Sequence, residues 1–271
     1  MVLIQTTTFT YKITSMKRFS LLVAALAVAL TLSSCKKEDV NNNDDNSSGT
    51  ATLVVDFNYV WAMSSQPFEM NRALYHPISG DSLTFTTFKH YISNVKLVKS
   101  DNSTWDATES YHLLDLSNDA STAVTFTDVP TGDYTGIEIT FGVDSLRNVS
   151  GAQTGALDPA NGMFWSWNSG YIMIKAEGTS PQSASGPFGY HIGGFQGANN
   201  VVVTRSFNFP NSETYALGKD ETMTVVMLAN PARLWHTYGS VSNGETIHMP
   251  GTEATQMAED FNVWTQLDEV F

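Results

Sequence analysis

Six histidines are the side chains of this 271-residue chain best suited to bind a soft or borderline metal ion: His76, His90, His112, His191, His236 and His248. None are spaced as H-x-H or H-x-x-x-H, so no single strand or helix presents two imidazoles. A site assembled from distant strands would leave this same scattered pattern. His112, in Tyr111-His112-Leu113-Leu114-Asp115, is a candidate ligand; a packed or surface imidazole on a strand is the alternative. His191 lies in Gly189-Tyr190-His191-Ile192-Gly193-Gly194, where small residues let other groups approach the ring. A structural hydrogen bond is its alternative role. His248-Met249 sets imidazole beside thioether, both acceptable to Cu(I). His76, His90 and His236 carry no further signal.

Other chemistry is weakly represented. The chain has no G-x-S-x-G and no G-x-x-x-x-G-K, and its one cysteine, Cys35, lies in an N-terminal processing signal. Its carboxylates show neither a local acid/base pairing nor the D-x-[DN]-x-[DN]-G order of a calcium loop. The expectation is a binding protein rather than an enzyme. A hydrolase whose carboxylates meet only in the fold is the weakest alternative.

The elements that must position these residues begin after an export signal. Met16-Lys17-Arg18 is basic, residues 21–30 are apolar without a break, and Leu32-Ser33-Ser34-Cys35 closes the segment. This is the layout of a secretory signal too short to span a bilayer, with Cys35 as the lipidated first residue of the mature chain. Residues 1–15 read as a mis-start extension. Lys36 after the cysteine resembles lipoproteins sent to the outer membrane, periplasm-facing or on the cell surface, and Lys36-Lys37-Glu38-Asp39 resembles the short charged tags on surface lipoproteins of Bacteroidetes-type bacteria. Residues 35–50, rich in Asn, Asp and Ser, form a tether that cannot bury enough surface to fold.

From residue 51 to the end the pattern is one all-β domain. Alternating or β-branched runs predict strands at 52–61, 88–99, 111–116, 122–126, 134–143, 171–177, 189–192, 201–208 and 221–228. The apolar parity changes from Phe88, His90 and Ile92 to Val95 and Leu97, which predicts a bulge or a second strand near Asn94. Short helices are expected at 230–236, with Pro231 in the first turn, and at 253–261. Many short strands with no βαβ alternation describe an antiparallel, immunoglobulin-like β-sandwich with one or two short helices near the C-terminus. The loop at 155–171, GALDPANGMFWSWNSGY, is either a plug closing the core or the wall of a site.

Charge narrows the partners. The net charge is -13, and removing the first 34 residues leaves 11 basic against 27 acidic groups. Such a body repels nucleic acid and anionic headgroups, so membrane attachment rests on the lipid at Cys35.

Several runs together resemble one family. Tyr91-Ile92-Ser93-Asn94-Val95-Lys96-Leu97, Leu113-Leu114-Asp115-Leu116, Gly142-Val143-Asp144 and Gly155-Ala156-Leu157-Asp158-Pro159 come first. Gly162-Met163-Phe164-Trp165-Ser166-Trp167-Asn168-Ser169-Gly170-Tyr171 and Tyr190-His191-Ile192-Gly193-Gly194 follow in the same order. The order resembles that of MbnP-like proteins, exported copper-binding proteins related to the periplasmic partner of methanobactin transport. The resemblance implies a β-sandwich that binds Cu(I) through histidines and a tryptophan oxidised to kynurenine, the oxidation made by a di-haem peroxidase-like partner. It assigns Trp61 as the kynurenine precursor and His112 and His191 as ligands. Where relatives carry a histidine two positions from that tryptophan, this chain has Tyr59, whose hard phenolic oxygen suits Cu(I) poorly. Trp165 and Trp167 then become packing residues that identify the family. The resulting expectation is a lipid-anchored copper-binding or copper-handling protein. A surface module for a glycan or a partner protein is the alternative, favoured if the aromatics of the 163–171 loop are exposed.

Overall fold

In the computed structural model of the chain, the residues described are 49–62, 66–151, 153–166 and 169–271. The expected export signal, Cys35 and most of the expected tether therefore lie outside them, as does Trp167. Sixteen strands follow in chain order. The first half holds β1 (Thr50–Trp61), β2 (Gln66–Pro67), β3 (Ala73–Tyr75), β4 (Ser82–Lys99), β5 (Thr104–Asp106), β6 (Tyr111–Asp115), β7 (Ala123–Pro130) and β8 (Gly132–Phe141). After the short helix α1 (Ser145–Asn148) come β9 (Phe164–Ser166), β10 (Gly170–Thr179), β11 (Pro187–Gly193), β12 (Val203–Asn208), β13 (Tyr215–Leu217), β14 (Thr222–Ala229) and β15 (Thr246–Ile247). Helix α2 (Thr252–Trp264) and β16 (Gln266–Val270) end the chain.

The strands form two sheets, as expected for an all-β sandwich. One runs β16-β14-β1-β2 with β7 also on β1; the other runs β12-β8-β4-β10-β11-β15 with the short strands on its members. Two pairings depart from an antiparallel scheme: β1 lies parallel to β14 and β11 parallel to β15. Parallel neighbours need a crossover rather than a hairpin, so sequence neighbours cannot announce them. The predicted helices appear as α2 and as a 3-10 turn at Pro231–Trp235, where the Asn230 side chain accepts the Ala232 amide.

The strand that organises the second sheet is β4, and it changes face twice. Leu83 and Phe85 point inward, yet three residues later Phe88 begins a new inward series with His90 and Ile92. The cause is a register break against β10, where Thr87 pairs with Glu177 but Phe85 pairs with Gly178, leaving Thr86 as the extra residue. The second break is the one expected near Asn94. Pairing with β8 shifts between Ser93 and Lys96, Asn94 takes φ +49°, and Val95 and Leu97 become the inward residues. On the facing sheet, Leu53, Val55, Phe57, Tyr59 and Trp61 of β1 share the inward side, alternating as predicted.

The 155–171 loop closes a core. Leu157, Met163 and Tyr171 are buried, and Phe164 and Trp165 are partly so. The Tyr171 hydroxyl donates to the Leu157 carbonyl at 2.6 Å and the Tyr91 hydroxyl to that of Ala156 at 2.8 Å. Trp165 lies so close to Gly193 that a Cβ there would sit 2.7 Å from its ring.

Candidate metal centre at the sheet interface

Between the two bulges, β4 directs His90 into the space between the sheets. Its ring is almost fully buried and meets Phe57, Tyr59 and Phe261 edge-on, at centroid distances of 5.7, 5.8 and 5.4 Å. Tyr59 of the opposite sheet reaches across, its hydroxyl 2.7 Å from His90 Nε2. The other nitrogen, Nδ1, is buried and makes no hydrogen bond of normal geometry, while a backbone contact with Tyr91 raises the ring's pKa against the larger effect of burial. A small cavity, about 10 Å³, lies beside the ring and is lined also by Met173, Gly142, Phe261 and Asn262. Asn262 Oδ1 is a second buried polar atom with no partner. Buried polar atoms are normally paired, so the two orphans beside one cavity mark a place that a single water or an ion would satisfy.

Electrostatics hold this site neutral. Burial pushes the His90 imidazole down to about 3, so the ring is uncharged at ordinary pH. Burial, and secondarily the charge of Asp56, raises the Tyr59 phenol well above its usual value, so it stays protonated. A neutral imidazole carries one N–H. If it sits on Nε2 and donates to the Tyr59 oxygen, the lone pair falls on Nδ1 at the cavity. That is how a ligating histidine is commonly oriented, its second nitrogen fixed by a neighbouring oxygen. Met173 Sδ accepts the Val143 amide at 3.2 Å and has a further lone pair. Imidazole and thioether together suit a soft ion of low coordination number such as Cu(I). Among the described residues no three His, Cys, Asp or Glu side chains are grouped to hold a metal, so a four-coordinate site of those types does not fit.

The residues expected as ligands lie apart. Trp61 is 1 % exposed, its indole N–H donates to the Tyr75 carbonyl at 2.7 Å, and its ring packs on Phe85, Phe68 and His76. His112 pairs with Ile92, seven residues beyond Phe85 along β4, a span of roughly 20 Å on an extended strand. His112 sits edge-on to Phe126 at 5.2 Å, with Nε2 buried and unpartnered. Its pKa is lowered by burial. His191 belongs to the opposite face. The cross-strand row His191, Lys175, Lys89, Asp115 alternates with the inward row Ile192, Ile174, His90, Leu114, and His112 shares the parity of Leu114. His191 Nε2 lies 2.7 Å from Glu177 Oε1 and its ring stacks on His248. His112, His191 and Trp61 therefore do not meet in one coordination sphere.

His90 is the residue that sequence reasoning passed over, and Tyr59 acquires a different role. The signal was available in the alternation Phe88, His90, Ile92, which puts an imidazole on a face otherwise filled by large apolar groups. Tyr59 is the partner of a histidine rather than a substitute for one.

Comparison with known proteins bears on the family. No curated protein matches the chain. Among solved structures, MbnP from Methylosinus trichosporium is similar at 17 % identity over 66 % of this chain and 76 % of that one, with a TM-score of 0.42. The family model described as MbnP matches residues 50–250, the greater part of both sheets. The chain belongs to the MbnP family.

Proposed function

We propose that this chain is an exported, lipid-anchored protein that binds or hands on copper(I), with His90 as its principal ligand and Met173 as the second soft donor. The observation that carries this reading is the unpartnered Nδ1 of the buried, neutral imidazole of His90, a residue that lines one small cavity together with Met173. Membership of the MbnP family supports it. Cys35 supplies the lipid anchor and the outer membrane is the proposed location, both argued from the sequence pattern. Oxidation of Trp61 by a di-haem partner is not required, because Trp61 is engaged in the core and is not among the residues lining His90's cavity. The chain's part is to hold a lone pair at His90 Nδ1, fix that ring through Tyr59 and exclude water with Phe57, Phe88 and Phe261. Bound Cu(I) would supply a soft cation that can be released without redox change.

The glycan or partner-protein reading draws less support. Met163 and Tyr171 are buried, and Phe164 and Trp165 are partly buried, Trp165 against Gly193, so the described aromatic rings of this loop offer little open stacking surface. The test is thermal unfolding after anaerobic Cu(I) loading. A ligand that binds only the folded state raises the melting temperature with free-ligand concentration. A rise is expected; an unchanged melting temperature with no retained copper overturns the proposal.

A further inference from the structure

The opposite face of the same sheet carries a second imidazole pair. β11 and β15 run parallel with Gly189 beside Thr246 and Tyr190 beside Ile247. One more step in that register brings His191 beside His248, and their rings stack at 4.5 Å with 23° between planes. Gly189 permits the approach, since a Cβ there would lie 3.3 Å from His248 Nε2. An ionised carboxylate only accepts hydrogen bonds, so the contact to Glu177 places a proton on His191 Nε2. Burial lowers the pKa of His191, against the raising effect of Glu177, and leaves the ring neutral with its lone pair on Nδ1. His248 is exposed to solvent. The Lys175 ammonium lies 3.4 Å from Glu177 Oε1, so it shares that carboxylate and opposes a cation nearby.

We infer that His191 and His248 form an open surface site for a hydrated divalent transition-metal ion of the imidazole-preferring kind, Zn²⁺ or Cu²⁺. His191 Nδ1 supplies one nitrogen ligand, the exposed His248 turns out of the stack to bring its in-plane lone pair to the same ion, water completes the sphere, and Glu177 acts as a positioning residue behind His191. Only two protein ligands are involved, in keeping with the lack of any three-residue His, Cys, Asp or Glu group among the described residues. The site shares no residue with the His90 cavity and lies on the other face of the sheet, so it stands or falls apart from the copper(I) reading.

Calorimetric titration of Zn²⁺ into the full chain tests it, comparing the natural chain with His248→Ala and with His236→Ala. Both substituted residues are exposed, so neither change threatens the fold. The expected result is one bound Zn²⁺, weakened at least about tenfold by His248→Ala and unchanged by His236→Ala. Equal Zn²⁺ affinity in the natural chain and His248→Ala, or an equal loss in both variants, overturns the inference. Cu(I) loading should be the same in His248→Ala as in the natural chain.

Discussion

A neutral imidazole has one proton to donate and one lone pair to keep, and in the proposed site the Tyr59 hydroxyl accepts the Nε2 proton of His90 and so leaves the lone pair on Nδ1. Removing that hydroxyl in Tyr59→Phe leaves both ring nitrogens without a protein partner. A loss of about 1–3 kcal/mol is expected in chemical denaturation, the cost of an unsatisfied buried polar group. Copper(I) retention should fall as well, although no ligand atom is removed; unchanged retention would show that Tyr59 does not orient the ring. Burial also makes His90 an acid-sensitive element. Its pKa is about 3 in the fold and near 6.5 when the chain unfolds. Between those values the unfolded chain binds a proton that the folded chain refuses, so the stabilisation is complete above about pH 6.5 and is lost as pH falls towards 3. His76 and His112 shift the same way, also by burial first. Denaturation midpoints should therefore drop from pH 7.5 to pH 5, and less steeply in His90→Phe. Parallel pH profiles for the two proteins would refute this assignment.

At the scale of elements, the bulges at Thr86 and Asn94 aim three β4 residues, His90 among them, at the opposite sheet. Asn94 tolerates the left-handed backbone better than most residues, and its side-chain amide donates to Asp144 at 2.9 Å. Asn94→Ala loses both advantages, whereas Asn94→Gly loses only the second. Equilibrium unfolding should rank Asn94→Ala as the more destabilised, by roughly 1–2 kcal/mol relative to the natural chain. The reverse order would mean that the backbone at this bulge is unstrained. A companion test lies across the first bulge, at Gly178, where an added Cβ would fall 2.1 Å from the Thr84 carbonyl oxygen. Gly178→Ala should cost about 3 kcal/mol or more, because the conflict is with backbone and needs a strand to move. These elements were unequally legible. Strict alternation exposed β1, and the parity change at Val95 exposed the Asn94 bulge. The Thr86 bulge was not found, because the polar Thr86-Thr87 pair hides which residue is extra. β16 escaped too: Gln266-Leu267-Asp268-Glu269-Val270 is mostly polar, an edge strand without an inward stripe.

For the whole molecule, the sandwich was readable from local patterns, whereas the candidate centre depends on a contact between sheets. Tyr59 and His90 are 31 residues apart, and no spacing rule connects them. Parallel pairing of β1 with β14 joins residues more than 160 positions apart and is equally silent in local sequence. Reading each histidine by its own neighbours ranked His112 and His191 above His90, and only strand register separates them onto opposite faces. The proposed export signal rests on composition alone, and it yields its own prediction: Cys35→Ala should shift the chain from the membrane to the soluble fraction on cell fractionation. An equal membrane share in both proteins would remove the anchor from the proposal. The copper(I) centre is tested most directly by the metal retained after anaerobic Cu(I) loading and desalting, compared between His90→Ala, His112→Ala and the natural chain. The expected result is bound copper in the natural chain and His112→Ala, with loss in His90→Ala. Retention in a folded His90→Ala protein together with loss in His112→Ala would contradict the assignment.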